Sequence, residues 1–165
     1  MEDTDILIAN YSSAYRNEVV SLLDELQTHI LALDPYQIQS FGEKYHSEYI
    51  THVEQAVDRA GGRMLVALLH DTVVGFVAGV IEPCDEIDVL STICPRKGRI
   101  LELVVSGNCR GQGIGKLLMQ TIEGHLIGAG CEYLYVDVFA SNVAAAEFYS
   151  AQGYSSRNIE LIKKV

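Results

Sequence analysis

Apolar positions along this chain recur in two periods, and the switches between them outline its elements. Asp5 to Ala9 reads as a short strand. From Val19 the period lengthens: Val19, Leu22, Leu23, Leu26, Ile30 and Leu33 fall at the spacing of one helix face. Ser12 and Ser13 are N-cap candidates for that helix. Asp34-Pro35 stops it, because a residue before proline avoids helical geometry. Tyr36 to Gly42 reads as a loop. A second helix carries Tyr45, Tyr49, Val53, Ala56, Val57 and Ala60 on one side and closes at Gly61-Gly62. Met64 to Leu69 and Val73 to Ile81 read as strands joined by the polar turn His70-Asp71-Thr72, which predicts a hairpin. Gly75 and Gly79 in the second of these predict a bulge or a close backbone approach.

Glu82 to Gly98 breaks both periods. It holds Pro83, Pro95, two cysteines and four acidic residues, and reads as a long loop of the kind that often carries function. Ile100 to Ser106 is then a nearly continuous apolar run interrupted by Glu102, the pattern of a buried strand. Gly107-Asn108 marks a turn. Beyond it Ile114, Leu117, Leu118, Ile122 and Leu126 outline a helix that runs to about Gly128-Ala129-Gly130. Glu132 to Phe139 reads as a central strand. Ser141 or Asn142 can cap a short helix from Val143 to Gln152, which Gly153 closes. A last strand is expected around Ile159 to Ile162. The order β-α-α-β-β-β-α-β-α-β, with no internal repeat, predicts an α/β (α+β mixed-sheet) layered fold in a single domain over residues 1–165.

Composition narrows the partners. At 165 residues the chain can bury a core without disulfides or metal. Its net charge of −10 argues against nucleic acid, whose phosphates need clustered Lys and Arg. The same charge is compatible with a cationic acceptor. No apolar run approaches the roughly 20 residues of a membrane span. The start MEDTDILIAN lacks a signal-peptide layout, so a cytoplasmic protein is expected. Cys84, Cys94, Cys109 and Cys131 include no CxxC pair, and the five histidines show no metal-ligand rhythm, so no zinc site is expected. Free, mostly buried thiols in a reducing compartment are the expectation. Cys109 has no histidine nearby in sequence to activate it and reads as a packing or solvent-facing residue.

The chemistry concentrates at Arg110-Gly111-Gln112-Gly113-Ile114-Gly115. Glycines at alternate positions across a helix start leave amides bare at the positive end of the helix dipole, which favours phosphate or pyrophosphate. A Walker A loop fails here, since Leu117 follows Gly115-Lys116 where Ser or Thr is needed. The dinucleotide pattern GxGxxG fails on spacing. What fits is RxxGxG preceded by Leu103-x-Val105, and in this the stretch resembles the acetyl-CoA-binding motif of the GCN5-related N-acetyltransferase (GNAT) family. Downstream, Asn142, Ala145, Phe148-Tyr149 and Gly153-Tyr154 match the family pattern N-x-x-A-x-x-F-Y-x-x-x-G followed by an aromatic residue. The two motifs span Ile100 to Tyr154, about a third of the chain, and the N-terminal element order agrees.

The resemblance implies a central mixed sheet whose middle strands splay into a V, flanked by helices. It implies transfer of the acetyl group of acetyl-CoA to a primary amine by direct attack. Backbone groups at Leu103 and Val105 would hold the pantetheine arm and acyl carbonyl. Amides of Gln112, Gly113, Ile114, Gly115 and Lys116 would take the pyrophosphate, Arg110 would shape the turn at Gly111, and Asn142 would contact the pantetheine arm. Tyr149 falls on the family's recurrent tyrosine, which can protonate the leaving thiolate. The other reading is an aromatic packing residue on a face shared with Ala145, Phe148 and Gln152. Glu102 interrupts an apolar strand, so its carboxylate must face a cleft or a partner. It is the candidate base, acting through water; the other reading is a carboxylate that positions the acceptor. Gly107 stands where a proline is common, which loosens the turn.

Tyr36, Tyr45, His46, Tyr49, Glu82, Asp85 and Glu86 are candidate lining for the acceptor pocket, or ordinary loop and helix surface. The acceptor stays open between a polyamine, an aminoglycoside, an amino acid and a protein N-terminus or lysine. A homodimer is allowed; no nucleic-acid or membrane partner is expected. Two rivals stand beside this reading. One is a catalytically silent acyl-CoA-binding sensor module, opposed by the presence of Glu102 and Tyr149. The other is a nucleotide-phosphate enzyme, opposed by the missing Ser/Thr and the glycine spacing.

Overall fold

Local turn chemistry sets the first pairing. Between Leu69 and Thr72 only His70 and Asp71 intervene, with φ of 49° and 61°. Two left-handed residues make the short hairpin turn whose twist matches that of the strands beside it. In the computed structural model, which describes residues 6–42, 44–84, 89–90 and 93–165, this turn joins β2 (Arg63–Leu69) to β3 (Thr72–Glu82). β1 (Ile6–Asn10) pairs with β2, and β4 (Lys97–Val105) with β3, all antiparallel. β5 (Tyr133–Val136) joins β4 in parallel, giving a five-stranded mixed sheet in the order β1-β2-β3-β4-β5.

Alternation along the strands divides the core in two. Met64, Val66, Leu68, Phe76, Ala78 and Val104 point to one face and meet Val19, Leu22 and Leu23 of α1 (Arg16–Leu33) and Ile50, Val53 and Val57 of α2 (Tyr45–Ala60). Leu65, Ala67, Val77 and Ile100 point to the other and meet Ile114, Leu118, Met119, Ile122 and Leu126 of α3 (Ile114–Gly128). Each buried Val, Leu, Ile, Met or Phe side chain among these contributes about 1.5–3 kcal/mol. Gly79 lets α3 lie close: a Cβ there would meet Ile122 Cγ1 at 3.0 Å. α4 (Val143–Ser150) follows β5, and Asn142 caps it by accepting the Ala145 amide at 3.2 Å. No helix among the described residues is long and apolar enough to cross a membrane.

Several expectations are corrected. Residues 155–165 form no strand: Ile159 and Leu161 are 83% and 90% exposed. Apolar spacing supplies strand propensity, but a ladder needs a neighbouring backbone. This segment reaches β5 through a side chain, Arg157 Nη1 donating to the Tyr135 hydroxyl at 3.0 Å. β5 is shorter than Glu132 to Phe139, because its pairing with β4 ends at Val136. Neither Ser12 nor Ser13 caps α1 through its side chain. A 3-10 turn over Ser13–Tyr15 precedes the helix, so both serines stand a turn too early. Leu117 is 40% exposed and lies off the buried face of α3. Cys84 and Cys94 are disulfide-bonded rather than free, with Cα atoms 6.0 Å apart, because the antiparallel β3–β4 pair returns the chain beside itself. Cys109 and Cys131 are free thiols, and Cys131 is buried. Asp5, placed in the first strand by its sequence, lies outside the described residues.

Candidate active site

β4 and β5 part company halfway along β4. They pair from Lys97 to Ile100 against Tyr133 to Val136, and β4 continues to Val105 with that side open. The Ser106 amide donates to the Val74 carbonyl at 2.9 Å, and Val104 lies opposite Phe76. Antiparallel bonds alternate sides, so the main-chain groups of Leu103 and Val105 point into the opening. Arg110 Nε takes the Val105 carbonyl at 3.1 Å, tying the turn back onto the strand. Glu25 of α1 braces the same turn, accepting the Gly107 amide at 2.7 Å with Arg110 Nη2 at 3.7 Å. Leu103 therefore keeps both main-chain groups for a ligand, and Val105 its N–H.

Below the opening α3 begins without a side-chain cap. Gly113 is its N-cap at φ 81°, and Gly111 stands at φ 76°, values that disfavour any residue with a Cβ. The first intrahelical bond runs from the Leu117 amide to the Gly113 carbonyl, which leaves the amides of Ile114, Gly115 and Lys116 unpaired within the helix. A Cβ at Gly111 or Gly113 would meet no atom within 4 Å, so the space above the turn is open. Bare amides, a positive helix end and open volume are features that fit a pyrophosphate. Gly115 has a packing role as well, since a Cβ there would meet Phe148 Cζ of α4 at 3.3 Å. Asn142 has its carboxamide oxygen occupied by the α4 cap, which leaves the amide nitrogen for other contacts.

Glu102 lies on the α1–α2 face of β4. An irregularity in the β3–β4 register, where Ala78 faces Glu102 but Gly79 faces Ile100, leaves Leu101 as an extra residue beside it. Such a bulge re-aims neighbouring side chains. The Tyr49 hydroxyl of α2 donates to Glu102 Oε1. Burial pushes the Glu102 carboxyl up from 4.5 to about 7, while the Tyr49 bond pulls it the other way. Tyr45 stacks on Tyr49 with ring centroids 5.3 Å apart and planes 11° apart. Tyr149 of α4 packs edge-on to Phe148 at 5.2 Å and to Tyr154 at 5.6 Å, and Tyr154 donates to Glu123 of α3 at 2.8 Å. Burial, then the nearby Glu102 charge, pushes the Tyr149 phenol up to about 12. It stays protonated at neutral pH, with no hydrogen-bond partner among the described residues.

The proposed acceptor lining divides. Tyr45 and Tyr49 gather at Glu102. His46 turns away toward Asp24 (3.5 Å) and lines a separate cavity of about 240 Å³ between α1 and Phe41. Tyr36 is half exposed in a turn that the Asp34 carboxylate organises by accepting the amides of Tyr36, Ile38 and Gln39. Glu82 is paired with Arg99 of β4, which also binds Asp137 at 2.7 Å. Asp85 and Glu86 lie outside the described residues. A cavity of about 590 Å³ lies at the other end of β3 and β4, beside Arg59, Arg96 and the Cys84–Cys94 bridge, away from this chemistry. Sequence reasoning missed Arg99 and the Tyr49–Glu102 contact. The first was hidden beside an irregular loop, and the second joins residues 53 apart, for which no local pattern exists.

Comparison with known proteins bears on the family and the fold. Over 63 residues the chain is 41% identical to the uncharacterized N-acetyltransferase MJ1530 of Methanocaldococcus jannaschii, covering 38% of this chain and 40% of that protein. The chain thus matches about two fifths of that curated relative's length. A variant of the BH1408 protein from Bacillus halodurans superposes with a TM-score of 0.82 at 18% identity, covering 96% of this chain and 99% of that one. Glucosamine-6-phosphate N-acetyltransferase from Arabidopsis thaliana gives 0.67 at 20% identity, over 96% and 97%. At these identities the superpositions establish the fold. The model of the acetyltransferase (GNAT) family matches residues 27–154, a span that takes in the open strand edge, the bare helix start, Glu102 and Tyr149. By that match over most of its length, the chain belongs to the acetyltransferase (GNAT) family.

Proposed function

We propose that this protein transfers the acetyl group of acetyl-CoA to a primary amine by direct attack, with Glu102 as general base and Tyr149 as general acid. An alkyl ammonium, with a reference pKa near 10.4, must lose a proton before it can attack. A carboxyl that titrates at about 7 is matched to accept that proton near neutral pH, directly or through one water. The amine nitrogen then bonds to the thioester carbonyl carbon, and the carbon–sulfur bond breaks. The departing thiolate takes a proton from Tyr149, and the nitrogen gives up its second proton to solvent as the amide forms. Glu102 then releases its proton to solvent while Tyr149 recovers one.

The amides of Ile114, Gly115 and Lys116 would hold the pyrophosphate. The edge of Leu103 and Val105 would hold the pantetheine arm, joined by the Asn142 amide nitrogen. Tyr45 and Tyr49 would line the acceptor's approach to Glu102. The observation that carries this reading is a single carboxyl, tuned toward neutrality, on the strand whose open edge leads to the bare start of α3. The test is thiol release from acetyl-CoA across a panel of primary amines, polyamines, aminoglycosides, amino acids and peptides. Release above the amine-free rate with at least one class is expected. CoA binding without release from any of them would replace this reading with that of a silent acyl-CoA sensor.

A further inference from the structure

Tyr49 reaches Glu102 from a different layer of the molecule. Its position is built rather than incidental. Tyr45, one helical turn earlier on α2, stacks on it, and Phe41 from the preceding loop packs on Tyr45 with centroids 4.7 Å apart. The phenol meets one carboxylate oxygen, Oε1, and among the described residues no other group donates to Glu102. We infer that Tyr49 is a positioning residue for acetyl transfer: its phenol, braced by Tyr45, fixes Glu102 by one oxygen and leaves the other facing the cleft. The inference rests on the reading of Glu102 as the base.

A hydrogen bond donated to a carboxylate favours its charged form, and burial opposes it. Tyr49 thus keeps Glu102 ionisable near neutral pH where its surroundings alone would hold it protonated. The titratable neighbours are Tyr45 and Tyr49 from α2 and Tyr149 from α4, all uncharged at neutral pH. Ala78, opposite on β3, carries no charge, and Arg99 along β4 is engaged by Glu82 and Asp137.

Tyr49→Phe keeps the ring and its stack while removing the donor. Two readouts are compared with wild type. One is the Glu102 side-chain carboxyl signal in a carbon-13 glutamate NMR titration, identified by its loss in Glu102→Gln. The other is kcat/KM against pH for the best amine of the thiol-release panel. The carboxyl titration should move up by about one pH unit. The acidic limb of the rate profile should move with it, a loss near tenfold at pH 6 that fades above pH 9. A Glu102 titration unchanged in Tyr49→Phe overturns the inference whatever the rate does. A carboxyl that moves while the rate limb stays supports the Tyr49 contact and overturns Glu102 as the base. Tyr45→Phe is the matched control and should leave the titration in place. An equal shift there would mean that α2 has merely loosened, and would also overturn the role of Tyr49.

Discussion

Glu102→Gln should change how stability depends on pH, and the structure sets both the window and the size. The Glu102 carboxyl titrates at about 7 in the folded chain against an ordinary 4.5, so between those values the folded state holds a proton that the unfolded state releases. The stability this group contributes is therefore fully present below pH 4.5 and lost as pH rises through 7. From 4.5 to about 7, at about 1.4 kcal/mol per pH unit, linkage amounts to about 3 kcal/mol. Glu102 is half-buried beside an open cleft, and water there screens part of this, so the expected change is about 2 kcal/mol. Glutamine retains an oxygen to accept the Tyr49 hydroxyl and does not titrate. Any misfit of the amide shifts stability equally at every pH, and other titrating groups cancel between the two proteins. Urea unfolding at pH 4.5, 6, 7 and 8 should show the mutant gaining about 2 kcal/mol on wild type across that range, levelling off above pH 7. Parallel curves would refute the reasoning, because they would mean that Glu102 carries the same charge in the folded and unfolded chains.

Two further outcomes test the cofactor and acid assignments. Gly113→Glu forces a Cβ at φ 81° and sends a negative side chain into the open space above the α3 amides; CoA affinity measured by calorimetry should fall at least tenfold, about 1.4 kcal/mol, and unchanged binding would remove the basis for the phosphate cradle. Tyr149→Phe keeps the packing with Phe148 and Tyr154 but removes the phenolic proton; turnover should drop by roughly 10²-fold with acetyl-CoA binding little changed, and a wild-type rate would make Tyr149 a packing residue.

Local order was what the amino-acid sequence determined by itself. The helix over Ile114–Gly128, the two-residue hairpin at His70-Asp71, the stop at Asp34-Pro35 and the glycine-rich helix start each depend on residues within a turn or two of one another. Periodicity and turn chemistry act at that range, so Gly113 at the helix start and Asn142 as a cap could be singled out before any fold was known, while Arg110 and Tyr149 were marked by the resemblance of their stretches to the family's motifs. The lone carboxylate in an apolar strand marked Glu102 for the same reason. Its partner could not be read, because Tyr49 is 53 residues away and reaches it only once α2 is packed against the sheet. The pairing of Cys84 with Cys94 likewise waited on the antiparallel return of β4 beside β3. The strand expected at Ile159 to Ile162 shows the converse. Its apolar pattern is present, but a strand exists only where another backbone meets its hydrogen bonds, and that is decided in three dimensions. The same rule makes the opening between β4 and β5 a tertiary feature: both stretches read as strands throughout, and only their divergence beyond Ile100 leaves an edge free to take a ligand.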